Sequence, residues 1–167
     1  MKKQILKAIG GVSLAILVLV VFAQVWVSAQ DKNSDLSQNE QGLIGSWNLS
    51  VTLRDCQTGT ALVNFLAMNT YNLGGTMQQS AVSNPQFRDL AGHGIWSHQT
   101  GRDYSAALQF FSVSLDGTFT GKVVVRSAIS LGLRGNEYTS TDTAEVFDPN
   151  GNVIATACST TTASRFE

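Results

Sequence analysis

The sequence predicts an all-β protein: an eight-stranded antiparallel up-and-down barrel closed by pairing of its first and last strands. Three observations predict it. Short runs of alternating apolar and polar residues recur along the chain, glycine-containing turns separate them, and no segment beyond residue 42 shows a helical period. The strands are expected at residues 45–53, 61–71, 75–81, 93–98, 103–114, 118–129, 137–147 and 153–165.

The first strand, residues 45–53, shows the alternation most clearly. Trp47, Leu49, Val51 and Leu53 are separated by small polar residues. Because successive side chains of a strand point to opposite faces, these four side chains share one face, which we expect to be buried.

A tight hairpin is predicted at Asp116-Gly117, since glycine adopts a positive φ at low cost. Antiparallel pairing about this turn places Phe110 opposite Val123 and Leu108 opposite Val125. The same register predicts an inner face formed by Tyr104, Leu108, Phe110, Phe119, Val123 and Val125.

The first and last strands are expected to lie side by side. The antiparallel register that brings Trp47 opposite Arg165 also brings Cys56 within two residues of Cys158. This pairing closes the sheet and removes its free edges. In an exported chain the two cysteines are expected to form one disulfide, and two free buried thiols are the alternative.

The N-terminal segment, residues 1–29, is typical of a signal peptide. Lysines precede an uncharged apolar run over residues 8–22, and Val27-Ser28-Ala29 fits a cleavage site. We therefore expect cleavage after Ala29 and a secreted or periplasmic protein. The alternative is an uncleaved N-terminal helix that anchors the chain in a membrane.

After the signal peptide we expect a flexible polar linker over residues 30–42 and a barrel domain over residues 43–167. The linker is predicted because its segment has almost no apolar side chain to bury. Residues 82–92 form the longest gap between predicted strands, and their Asn84-Pro85 pair suggests a mobile loop.

The charge of the processed chain argues against several partners. Without the three leader lysines, eight basic residues face twelve acidic ones, a net charge of −4 for residues 30–167. We expect no nucleic-acid partner, since there is no basic footprint, and no stable membrane association after cleavage. No cysteine or histidine spacing fits a zinc site, so no metal and no cofactor is predicted.

Gly45 and Trp47 on the first strand, together with Arg165 on the last, resemble the calycin superfamily of lipocalins and related barrels. The resemblance implies that Arg165 packs over Trp47 in a cation–π contact and closes one end of the barrel. No helix follows the last strand and the first loop is short, which departs from typical lipocalins. Avidin-like barrels share the Gly-x-Trp pattern and lack the helix, but this chain has no tryptophan set for a biotin lid.

The interior of such a barrel is either filled by side chains or holds one small ligand. Strand alternation places Asp142 inward at mid-barrel, as an acid, a base or a ligand anchor. A hydrogen-bonded structural aspartate is the alternative. The predicted ligand-binding residues are Trp96, His98, Tyr104, Leu108, Phe110, Val123, Tyr138 and Asp142.

Three functions remain open from the sequence. The first is an exported barrel that binds a small, mainly apolar ligand in its interior. The second is an isomerase or cyclase that uses His98, Asp142 and Tyr138 for proton transfer in the cavity. The third is a structural or interaction barrel without a ligand. An outward apolar patch also predicts a candidate homodimer surface, formed by Phe111, Val113 and Val124.

Overall fold

The structure is a computed structural model that describes residues 42–82 and 88–166, which form nine β-strands and no helix. The strands are β1 (Gly45–Arg54), β2 (Ala61–Tyr71), β3 (Thr76–Ala81), β4 (Arg88–Asp89), β5 (Gly92–Thr100), β6 (Asp103–Val113), β7 (Phe119–Leu131), β8 (Glu137–Phe147) and β9 (Val153–Arg165).

Eight of these strands form a closed antiparallel barrel in up-and-down order. β1 pairs with both β2 and β9, and β6 pairs with both β5 and β7, so the sheet returns on itself. The remaining strand, β4, lies outside the barrel order: it has two residues and pairs with β6. The predicted fold class is therefore confirmed.

The register at the seam between β1 and β9 is the predicted one. Trp47 pairs with Arg165, and Arg54 pairs with Cys158. The predicted disulfide between Cys56 and Cys158 is formed next to these pairs, with the two Cα atoms 5.3 Å apart. It joins the strands at the place where the barrel closes.

The β6–β7 hairpin also has the predicted register, with Phe110 opposite Val123. The prediction that Phe119 faces the interior is wrong, because a β-bulge after Ser112 makes Phe119 pair with Val113. A one-residue shift turns a side chain to the other face of a sheet. Phe119 is accordingly 45% exposed, with its ring centroid 5.9 Å from that of Phe111.

The predicted strand bounds agree with the structure to within two residues, but β4 was placed in a loop. Its pairing is too short to produce an alternating sequence pattern. It is supported by Ser112, whose hydroxyl donates to the Asp89 carboxylate at 2.7 Å.

Some sequence predictions fall outside the described residues. These are the signal peptide, residues 30–41 of the linker, and residues 83–87 of the long loop, including Asn84-Pro85. Within the part of the chain that the structure describes, no helix has the length and apolar character needed to cross a membrane.

One end of the barrel, called the plug end below, is closed by the predicted contact between Trp47 and Arg165. The Arg165 guanidinium lies 4.3 Å from the centre of the Trp47 ring, and it donates hydrogen bonds to three backbone carbonyls. The fully buried Trp47 indole donates to the Leu43 carbonyl at 2.9 Å, and its ring packs edge-on against Tyr138 at 4.9 Å.

More aromatic side chains fill the rest of the plug end. The Trp96 ring lies 6.1 Å from Tyr71 and 5.9 Å from Tyr104. Close approach of β5 and β6 beside these rings requires Gly94, because a Cβ there would lie 2.2 Å from the Ala107 carbonyl oxygen. The interior tryptophan and tyrosine rings are therefore concentrated at the plug end, and the opposite half is lined mainly by aliphatic side chains, with Phe65 and Phe110.

Candidate functional site

The half of the barrel opposite the plug contains a cavity of about 440 Å³. Small-molecule sites are typically about 300–1,000 Å³, so the space suits one small ligand. Toward the open end its walls are apolar, and the side chains that line them include Leu53, Val63, Val82, Leu90, Phe110, Val123 and Val146.

The floor of the cavity, next to the plug, is polar and carries Asp142. This residue is 7% exposed, and its carboxylate accepts three hydrogen bonds, all from neutral hydroxyls. Ser140 donates to Oδ1 at 2.8 Å, while Ser159 and Thr161 donate to Oδ2 at 3.2 and 2.9 Å. The cluster follows from the register of β8 and β9, which sets Asp142 directly opposite Ser159.

A second polar network on the floor comes from the other side of the barrel. Asn69 donates from Nδ2 to the hydroxyls of Tyr71 and Tyr138, at 3.0 and 3.4 Å. Gln79 donates from Nε2 to the Asn69 side-chain oxygen Oδ1 at 2.9 Å, and the two tyrosine hydroxyls are 3.2 Å apart. The network fixes both rings against the plug.

Burial raises the pKa of both Tyr71 and Tyr138, because a phenolate would lose its hydration inside the barrel. The negative charge of the nearby Asp142 adds a smaller upward contribution to each pKa. Both tyrosines therefore stay neutral and serve as hydrogen-bonding groups of the cavity floor.

These raised pKa values predict a loss of stability at alkaline pH. In the unfolded chain a tyrosine titrates near pH 10, whereas in the folded protein both hydroxyls keep their protons at higher pH. Their contribution is complete below about pH 10 and declines as pH rises further, by roughly 1.4 kcal/mol per pH unit for each tyrosine.

The measurement is urea unfolding between about pH 9 and pH 11.5. Tyr138→Phe should make the decline less steep, since it removes one of the two titrating groups. An equal decline in the variant would show that Tyr138 does not have a raised pKa in the folded protein.

The structure brings four of the eight predicted ligand-binding residues to the cavity: Phe110, Val123, Tyr138 and Asp142. The other four lie elsewhere. Leu108 is buried in the barrel wall, and Trp96 and Tyr104 belong to the aromatic plug. His98 is exposed beyond them, where Nε2 lies 2.9 Å from the Gly101 carbonyl oxygen and the ring packs at a tilt against Tyr104.

Sequence reasoning missed most of the polar floor, namely Asn69, Gln79, Ser140, Ser159 and Thr161. Strand alternation puts Ser140 on the same face as Asp142, but serine and threonine are so common in this chain that none was distinctive. Asn69 could have been identified from the sequence, because the other residues at alternate positions of β2, which face inward, are apolar or aromatic.

The outward patch predicted as a dimer surface is only partly exposed. Phe111 is 47% exposed and packs on Phe119, whereas Val113 and Val124 are half-buried. A homodimer through this patch stays a prediction.

Fold and cavity together define a class: a closed eight-stranded antiparallel barrel that is cross-linked by one disulfide and hollow at one end. Comparisons of the chain with protein-family models, with curated proteins and with solved structures find no significant match. The resemblance to calycins therefore consists of the barrel and of Gly45, Trp47 and Arg165.

Proposed function

We propose that this protein is an exported β-barrel that binds a small, mainly apolar ligand in its interior. The observation that carries the proposal is the cavity of about 440 Å³, with apolar walls and a few convergent polar groups at its floor. That combination is typical of small-molecule binding sites. A barrel with a purely structural role has no need of such a space, because interiors are otherwise close-packed.

Export is supported by the disulfide between Cys56 and Cys158. Disulfides persist in secreted and periplasmic proteins and are rare in a reducing cytosol. The predicted signal peptide, with cleavage after Ala29, supplies the route, and the protein would then act as a free carrier or receptor of its ligand.

The isomerase or cyclase alternative receives less support from the geometry. That alternative requires His98, Asp142 and Tyr138 to act together in proton transfer. However, His98 lies outside the cavity at the far side of the plug. Asp142 and Tyr138 alone line the cavity, and each is held by neutral hydrogen-bond partners. This arrangement suits the recognition of a ligand better than the transfer of a proton.

The test is binding of N-phenyl-1-naphthylamine, a neutral apolar dye whose fluorescence rises in an apolar site. We expect saturable binding to the wild-type protein and its loss in Ala144→Trp, which places an indole in the cavity. Thr143→Trp is the matched control, because Thr143 is exposed on the same strand, one residue away and on the opposite face.

Two outcomes would overturn the proposal. One is the absence of saturable dye binding to the wild-type protein. The other is equal binding by Ala144→Trp and Thr143→Trp, which would place the dye outside the barrel. Native mass spectrometry of protein from its own source, before and after mild denaturation, would then show the mass of any natural ligand.

A further inference from the structure

We propose that the ligand is an amphipathic amine, whose ammonium group binds Asp142 at the cavity floor while its apolar body extends toward the open end. This inference rests on the proposed function, since it names the chemical class that the same cavity selects. Three features carry it: the hydrogen-bonding capacity left around Asp142, the positions of the basic side chains, and the polarity gradient of the cavity.

The Asp142 cluster can still accept hydrogen bonds, but its hydroxyl protons are already used. A hydroxyl has one proton, and Ser140, Ser159 and Thr161 each direct theirs to the carboxylate. The lone pairs of these three oxygens remain, together with about one unused acceptor site on Asp142. A ligand group that donates several hydrogen bonds is complementary to this cluster, whereas a carboxylate or phosphate group would meet only acceptors.

Among the side chains of residues 42–82 and 89–166, Asp142 forms no salt bridge; the one found there joins Arg126 to Glu145 on the outer face. Arg165 lies behind the Trp47 ring and donates to backbone carbonyls, so it belongs to the plug. Arg54 donates to Thr160 and Gly59. A buried carboxylate is costly without a cationic partner, and a ligand ammonium would supply one.

The polarity gradient orients the ligand. Asp142 and its hydroxyl neighbours lie beside the plug, while aliphatic side chains and Phe110 line the way to the opening. An amine with an apolar body satisfies both halves at once, because its charged end reaches the floor and its body replaces water along the walls. A purely apolar ligand would leave the floor unused.

The experiment compares octylamine, octanol and octanoate, which share one chain length and differ in the charge of the head group. The protein is purified from cells that express residues 1–167. The affinity of each compound is measured by its displacement of bound N-phenyl-1-naphthylamine at about pH 7, where an alkylamine is protonated. We expect octylamine to bind about tenfold or more tightly than octanol, since hydrogen bonds to charged groups are the strong ones, and octanoate to bind weakest.

Asp142→Asn should abolish the preference for octylamine and leave octanol affinity within about twofold, since it removes the charge and keeps the shape. Glu145→Gln is the matched control: it removes a carboxylate three residues away on the same strand, on the outer face, and should leave the preference intact.

The outcomes separate this inference from the proposed function. Failure of the dye and all three displacers to bind overturns both. Dye binding with octanol equal to or better than octylamine overturns the amine assignment alone, and this comparison needs only the wild-type protein. An octylamine preference that persists in Asp142→Asn would also overturn it, because the ammonium would then bind elsewhere.

Discussion

Replacing both cysteines, as Cys56→Ser with Cys158→Ser, is expected to lower the free energy of unfolding by about 4–5 kcal/mol. The disulfide spans 102 residues of sequence, so its removal greatly increases the conformational freedom of the unfolded chain. It also joins the strands that close the barrel, β1 and β9, whose pairing is the most distant in sequence. A loss of this size is a large part of the roughly 5–15 kcal/mol that stabilises a typical domain.

Urea unfolding measures this loss. As the matched control, the wild-type protein is unfolded with and without a reducing agent. Reduction should destabilise the wild-type protein by a similar amount and leave the double variant unchanged. If the double variant lost less than about 1 kcal/mol, loop closure would not be a major source of stability.

Replacing Trp47 by alanine is expected to lower the free energy of unfolding by about 3–5 kcal/mol. Trp47 is fully buried at the plug end, so the substitution leaves a cavity that its neighbours cannot fill completely. It also removes the hydrogen bond to the Leu43 carbonyl and the aromatic face beneath Arg165. The Leu43 carbonyl and the half-buried Arg165 guanidinium both lose stabilising contacts.

Trp47→Phe separates these contributions, because it keeps an aromatic face for Arg165 and loses the indole N–H. We expect an intermediate loss of about 1–3 kcal/mol. Phe111→Ala is the control for loss of an aromatic ring at an exposed site, and its effect should be below about 1 kcal/mol. Equal losses in Trp47→Ala and Phe111→Ala would contradict a structural role for the plug.

Four of the predicted residues line the cavity, and the inward direction of each follows from a local signal in the sequence. Asp142 and Tyr138 were identified because β8 alternates strictly, so that their inward direction follows from local pattern alone. Phe110 and Val123 were identified because the turn at Asp116-Gly117 sets the hairpin register. Each of these predictions depended on a single strand or on two strands joined by a short turn.

The residues that lie away from this cavity depended on more distant relationships. Trp96 and Tyr104 face inward as expected, but the stagger of the strands sets them in the plug and away from the cavity. Phe119 was misplaced because a bulge shifts its pairing by one residue. Neither the stagger of the eight strands nor a bulge can be predicted from the local alternation of apolar and polar residues.

The sequence alone determined the number of barrel strands, the pairing at the seam and the disulfide, because alternation and turn residues are local signals and the paired positions of Trp47 and Arg165 agree with those of the cysteines. The tertiary structure decided which half of the barrel is filled and which is hollow. That outcome depends on the sizes of side chains that meet from all eight strands. It also decided the character of the cavity floor, where Asn69 and Asp142 become parts of one polar surface although 73 positions separate them in the chain.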